Sequence, residues 1–456
     1  MSALFALASA AATEHALAGA GDEAPPPAAG SPSTTKRAYT LPEILALADE
    51  NHPKIREARA ELSFVRAQLD EAHWAPFSQF KMTGGVTLAP ELTGSNVFSP
   101  NTDVSLTSSL GVAWKVQLEG VLPLWTFGKI GNLWDAAEAN VKVHEAGVEK
   151  ERDIVRLDVR RAFYAAQLAH DASALLADAK SQIDKAEKTL QAKIDKDEGD
   201  PIDLLKLQTF ATELDVRAAE AEKFTTVALS GLRFYSGVED LEIPPDPLRP
   251  PSHELQPISA YQAVADGARP ELQQARAGLD ARQSQTRLAE SMFFPDIGIG
   301  LMLGLAAAPE IDDQLNPFTN DPANYFHYGA AVVFQWSLDF LPKVAKLREA
   351  KAQETEMTAT VDFAERGVDT EIQLAYADVV QFQKQRDAYQ RSVQTAKKWL
   401  IQVQQGIDVG TIEDKELLEP AKAYALGRFN VLNSTMELDF AMARLARASG
   451  WDAIAP

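Results

Sequence analysis

Apolar and polar residues alternate strictly between residues 108 and 122. Leu110, Val112, Trp114, Val116 and Leu118 share one face, and Gly111, Ala113, Lys115, Gln117 and Glu119 the other. A period of two is the signature of a strand with chemically different faces. The same pattern recurs at 296–305, where Ile297, Ile299, Leu301, Leu303 and Leu305 oppose Gly298, Gly300, Met302 and Gly304. It recurs again at 326–338, where Phe326, Tyr328, Val332, Phe334 and Trp336 oppose His327, Gly329, Gln335 and Ser337. A weaker fourth run, 79–88, sets Phe80, Met82, Val86 and Leu88 against Lys81, Thr83, Gly85 and Thr87. Each run has about the length a tilted strand needs to cross a bilayer. Aromatic residues near the strand ends suit a membrane interface. The expected lipid-facing residues are Trp114, Val116, Ile299, Leu301, Leu303, Tyr328, Phe334 and Trp336; those expected to face a wet lumen are Lys81, Lys115, Gln117, Glu119, His327 and Gln335. Polar, Pro- and Gly-rich connections at 89–107 and 307–325 read as loops at the outer end. A soluble sandwich with one wet face is the competing reading.

Elsewhere the period changes to that of long helices. Residues 131–195 and 343–407 carry no proline. Each stretch of about 65 residues would reach nearly 100 Å at about 1.5 Å per residue. Met357, Val361, Ala364, Val368, Ile372, Ala375, Val379 and Phe382 step by threes and fours, as do Leu176, Ala179, Ile183, Ala186, Leu190 and Ile194. This is coiled-coil spacing. Return helices are expected at 201–236 and 413–450, and helices leading into the strands at 52–75 and 269–293. Stacked end to end, one of each would match one long helix. Short helices at 41–50 and 257–267, with Ile243-Pro244-Pro245-Asp246-Pro247, would form a belt around the middle.

The chain is therefore duplicated. Asn51-His52-Pro53-Lys54-Ile55 is answered by Ala268-Arg269-Pro270-Glu271-Leu272, and Trp125-Thr126-Phe127-Gly128-Lys129 by Leu338-Asp339-Phe340-Leu341-Pro342-Lys343. So long a period means a duplicated domain rather than a solenoid of small units. The expected organisation is a signal-like remnant and Pro/Ala-rich lead-in at 1–39, a first repeat at 40–240 and a Pro-rich linker at 241–257. A second repeat at 258–451 and a tail at 452–456 follow. Met1–Ala12 resembles the back of a secretory signal without its basic start; a start codon assigned too late or an Ala-rich tail would each explain it.

With 65 acidic against 44 basic residues in 456, the net charge of −21 argues against a nucleic-acid partner. The lack of cysteine removes disulfides, thiolate metal sites and cysteine nucleophiles. The seven histidines show no ligand spacing. Gly298-x-Gly300-x-x-x-Gly304 lies in a strand and misses the dinucleotide spacing, so no enzyme, metal or cofactor is expected. No run is apolar and long enough for a transmembrane helix. Four strands leave two open edges, which lipid forbids, so a barrel would have to be shared between chains.

Thr40-Leu41-Pro42-Glu43-Ile44-Leu45-Ala46-Leu47-Ala48, then Asn51-His52-Pro53, the paired strands, Ala162-Phe163-Tyr164 and Leu374-Ala375-Tyr376 together resemble the TolC-like outer membrane factors across about residues 40–451. The resemblance implies a mainly α chain that contributes strands to a transmembrane β-barrel, completed as a homotrimer with a 12-stranded barrel and a 12-helix periplasmic tunnel. It implies an outer-membrane duct of a tripartite efflux pump or type I secretion system in a Gram-negative bacterium. The implied partners are a periplasmic adaptor protein and, through it, an inner-membrane pump. A non-conducting coiled-coil protein bridging envelope layers is the alternative, but it needs no polar-lined strands.

Two hairpin turns hold the remaining chemistry. At 193–203, Lys193 and Lys196 are outnumbered by Asp195, Asp197, Glu198, Asp200 and Asp203. At 408–416, Lys415 faces Asp408, Glu413, Asp414 and Glu416. Converging in a ring, such carboxylates would attract cations at an aperture; alternatively they cap the next helices, as Asp200 before Pro201 would. Gly199 and Gly410 are expected as helix stops. Val409-Gly410-Thr411 fits the turn of the resembled family, and the first turn is more acidic. The aperture and adaptor-contact candidates are Asp195, Asp197, Glu198, Gly199, Asp200, Asp408, Val409, Gly410, Thr411, Glu413 and Asp414.

Overall fold

A computed structural model describes residues 37–93, 103–197, 199–314 and 318–450. The expected lead-in before residue 37, the tail 452–456 and Glu198 lie outside these described residues. The chain enters as β1 (Arg37–Ala38), then α1 (Leu41–Asn51) and α2 (Pro53–Trp74) lead to β2 (Phe80–Thr93) and β3 (Asp103–Trp125). The long α3 (Lys129–Ile194) and its return α4 (Pro201–Ser236) form the first helical hairpin. β4 (Leu241–Glu242) opens the linker, and α5 (Ile258–Ala268), α6 (Pro270–Ser291), β5 (Asp296–Ala307) and β6 (Tyr325–Gln335) repeat the scheme. The long α7 (Phe340–Asp408) and α8 (Leu418–Ser449) complete the second hairpin.

Several ends move relative to the sequence reading. β2 and β3 run past the expected loop start, because their pairing continues from Thr93↔Asp103 through a register shift at Pro90/Glu91. β6 stops at Gln335, so Trp336 lies just beyond it, where its indole N–H donates to the Phe293 carbonyl at 3.0 Å. α7 begins at Phe340 with Pro342 inside its first turn, where a proline costs no helical hydrogen bond. The return helix α8 starts at Leu418 rather than near 413, after a 3-10 turn over Asp414–Leu417.

The helices lie in four columns. α3 packs against α2 and α4 on one side and against α6 and α8 on the other, and α7 covers α6 and α8. Thin columns suit the alanine-rich seams, because small side chains let helix axes approach closely. Each repeat owns a belt core at mid-length. Ile44, Ile55, Val159, Phe163, Leu232 and Leu241 build the first; Tyr261, Leu272, Ile372, Val379, Leu438 and Leu445 build the second. The expected stripe on α7 is the one that buries: Val361, Val368, Ile372, Ala375 and Val379. A smaller cluster near the first turn joins Ile183, Leu207 and Leu214 with Leu418 of α8. The linker is stitched in by parallel pairing of β1 with β4 and by the Leu248 N–H donating to Asp171 at 2.8 Å.

The remaining strands form one antiparallel sheet, ordered β2-β3-β5-β6. β2 and β6 each keep one edge without a neighbour among the described residues.

Candidate functional site

Register decides which side chains share a face of this sheet. Lys81 stands opposite Glu119, Glu119 opposite Met302, and Met302 opposite Gly329. The next wet row runs Thr83, Gln117, Gly304, His327, and the one beyond it Gly85, Lys115, Ala306, Tyr325. Gln335 pairs with Asp296 in phase with these rows. All six residues expected on the polar face therefore lie on one side. The other side carries Met82, Leu118, Leu303 and Tyr328 in one row, and Val116, Leu305 and Phe326 in the next. Trp114, Ile299, Leu301 and Phe334 fall on it too. Among the described residues nothing covers this apolar face: Val86 and Tyr328 are 75% and 77% exposed. The polar face alternates charged and amide side chains with glycines, among them Gly85, Gly304 and Gly329.

Where the sheet meets the long helices, rings cluster. Phe127 stacks on Phe294 with centroids 5.2 Å apart, and Trp336 meets Phe334 and Phe340 edge-on. Lys129 is held there by Asp296 and the Phe294 carbonyl, both at 2.8 Å.

Both hairpin turns lie at the same end of the molecule. Leu418 packs on the first turn's cluster, and the Lys422 ammonium sits 4.7 Å from the Phe210 ring centroid. Asp200 caps α4, its carboxylate accepting from the Ile202 N–H at 2.8 Å. Asp195 and Asp408 each accept from a glutamine one turn back on their own helix, Gln191 at 2.8 Å and Gln404 at 3.0 Å. Lys415 pairs with Glu413; that hydrogen bond, with Glu413, Asp203 and Glu416 nearby, raises the ammonium above its ordinary range. Val409 ends α7 and is exposed, and Thr411 closes the turn with its N–H and hydroxyl on the Gly406 carbonyl. Asp414 starts the 3-10 turn.

The helix stops differ from expectation at one turn. Gly410 takes the left-handed conformation (φ 75°) that only glycine adopts at little cost. In the first turn that role falls to Asp197 (φ 61°), a residue type that tolerates it. Gly199 is needed for another reason: an added Cβ would lie 2.8 Å from the Ile194 side chain and 3.0 Å from its backbone nitrogen.

Two features escaped the sequence reading. A groove of about 1400 Å³ runs along α3 between α4 and α8, lined by Phe210, Phe224, Phe429 and Phe440 with Arg161 and Arg444. The second is a pair of polar seams at the belt. Arg269, 3% exposed, donates to the Arg447 carbonyl and to Glu371, both at 2.7 Å, and reaches Glu271 at 3.1 Å. Arg447 returns to Glu371 and Glu271 at 3.3 and 3.1 Å. The alignment of Arg269 with His52 at the two repeat starts was the available signal. Beside α3 and α8, Asp439 is pushed up to about 8 by burial, against the pull of Arg386, and Tyr164 to about 12 by burial and Asp439.

Comparison with known proteins agrees with this architecture. The OprN outer-membrane channel matches with a TM-score of 0.72 at 16% identity, over 90% of this chain and 89% of that one. CusC, described for its folding and transmembrane channel formation, matches at 0.74 and 15% identity, over 90% and 91%. The Campylobacter jejuni CmeC outer membrane channel matches at 0.70 and 15%, over 92% and 90%. Comparison with curated protein sequences gives no match. The family profile described as outer membrane efflux protein covers residues 44–237 and 264–451. The chain thus belongs to the outer membrane efflux protein family and is an outer-membrane protein.

Proposed function

We propose that three copies of this chain form a passive duct, a shared 12-stranded barrel continued by a 12-helix tunnel, which exports cargo delivered by an inner-membrane pump through a periplasmic adaptor. The family is one of channels rather than enzymes. The observation that carries the trimer is the sheet: among the described residues it has four strands, two open edges, one apolar face without cover and one face of glycine and polar residues. In lipid the open edges must pair, and only closure with other copies satisfies them. The polar, glycine-lined face then surrounds water, which a scaffold between envelope layers would not need. The helix columns support the same assembly, since α4 leaves Phe224, Val227 and Phe234 exposed and α7 leaves Phe363 and Leu374 exposed.

At the far end the six turns of a trimer would meet around one aperture. Asp200 also serves as a cap, and Asp195 and Asp408 are tied to their own helices, so Asp197 is the described first-turn carboxylate best placed to set the local field. The adaptor would approach these tips and the groove between α4 and α8. The test is ion selectivity in planar bilayers. Replacing Asp197, Glu198 and Asp200 together by Asn or Gln is expected to lower cation preference at low salt. The effect shrinks at about 1 M, where the Debye length is about 3 Å. An unchanged permeability ratio would move the constriction away from the first turn.

A further inference from the structure

The end of each return helix docks on the start of the helix that leads into the sheet. Gly237 and Gly450 end α4 and α8 in left-handed geometry, and an added Cβ would lie 3.3 Å from Asn51 in one repeat and 2.5 Å from Ala268 in the other. Around this shared joint the chemistry diverges at every matched position. His52 precedes Pro53 as Arg269 precedes Pro270. Phe234 stands before Ser236-Gly237 as Arg447 stands before Ser449-Gly450. Val159 lies one turn before Phe163 as Glu371 lies one turn before Ala375. The four-membered ionic clamp of the second repeat is thus replaced in the first by an imidazole, a phenyl ring and a fully buried valine, with Lys54 turned outward to Glu57 at 2.9 Å.

His52 is 5% exposed, and neither ring nitrogen has a hydrogen-bond partner among the described residues. Its ring stacks on Tyr235 (centroids 5.6 Å apart, 27° between planes) and meets Phe234 edge-on at 5.7 Å. This pocket accepts a neutral ring and offers a charged one nothing to donate to. The surrounding charges do not repair that. Asp49 of α1 is held by Arg156 at 2.5 Å, and Lys54 of α2 by Glu57. On α4 the Arg233 guanidinium points to the Leu241 carbonyl. Only Glu151 and Asp158 of α3 pull the ring toward protonation, and burial outweighs them, holding His52 below the usual imidazole range.

We infer that the joint between α2 and α4 is an acid-releasable hinge, while the ionic clamp between α6, α7 and α8 stays seated, so that mild acid frees one helical hairpin of each chain and not the other. The sign follows from linkage. A base whose folded affinity for protons is depressed is more protonated when its pocket opens, so the joint weakens as pH falls below the ordinary imidazole value near 6.5. The clamp contains no imidazole: it is built of two arginines and two glutamates that bond one another. Asp439, next to the second belt core, acts in the opposite sense, since its raised affinity favours the closed state as pH falls. The hinge itself does not depend on the duct reading.

Hydrogen exchange on the assembled protein in detergent, corrected for intrinsic rates, tests it between about pH 7.5 and about pH 5.5, across the imidazole range. Peptides covering α1, the start of α2 and the end of α4 are expected to exchange about threefold to tenfold faster at the lower pH. Peptides covering α5, the start of α6 and the end of α8 are expected to hold or slow. His52→Phe, which keeps a stacked ring but cannot take a proton, is expected to abolish the first response. Loss of that response in the wild type, equal responses in both joints, or its persistence in His52→Phe would each overturn the inference. The wild-type series stands alone should the variant not assemble.

Discussion

In the first repeat α4 closes on α2 through Phe234, Tyr235 and a His52 ring without a hydrogen-bond partner among the described residues. In the second, α8 closes on α6 through Arg269, Arg447, Glu271 and Glu371. The backbones at the two joints are near copies: an X-Pro helix start, a glycine helix stop and a belt core of aliphatic residues around each. What duplication preserved is geometry, and what diverged is the chemistry that fills it. A buried ion network and a well-packed apolar joint can be equally stable, because the desolvation of the charges offsets much of their attraction. They do not fail alike. Removing one member of the ionic joint takes charged hydrogen bonds from the others as well, whereas an apolar joint loses only what is removed.

That difference gives the largest expected effect. Arg269→Ala opens a void at the joint and leaves Glu371 and Glu271 with Arg447 alone, and is expected to cost about 2–3 kcal/mol. His52→Phe, a change of similar volume in an apolar pocket, is expected to stay within about 1.5 kcal/mol. Denaturant midpoints of the two variants decide the matter: equal losses would mean that Arg269 acts by packing alone.

The sheet was the most legible part of the sequence. Its period of two placed Lys81, Glu119 and Gln117 opposite Leu118, Leu303 and Tyr328 before any pairing was known, and the register respects that division at each row. Strand ends were less legible because Glu91–Thr93 and Asp103–Ser105 look like loop by composition, yet continue the pairing. The long helices announced themselves by the absence of proline and the stepping of Val361, Val368 and Ile372. The belt clamps could not be read, since Arg269, Glu371 and Arg447 are far apart in sequence and each suits an exposed helix surface. The turns were half legible. Glycine at 410 signals a left-handed stop by itself, but at the first turn the conformation shifts two residues back to Asp197, because Gly199 is committed to a close approach over Ile194.

The two turns offer the smallest effect and a sharper version of the comparison. Gly410→Ala meets open space, so its cost is the left-handed conformation alone, about 1–2 kcal/mol. Asp197→Gly removes the same strain from the other turn and is expected to be neutral or to stabilise by up to about 1 kcal/mol. Opposite signs in thermal unfolding would bear out this assignment of stops; a loss in both would show that the Asp197 side chain holds its turn.

The shared barrel rests most directly on the mass of the folded particle. Light scattering coupled to size exclusion, with the detergent contribution subtracted, should give three chains of 49.7 kDa for the purified protein. A stable, folded monomer with the outer edges of β2 and β6 unpaired would contradict the account.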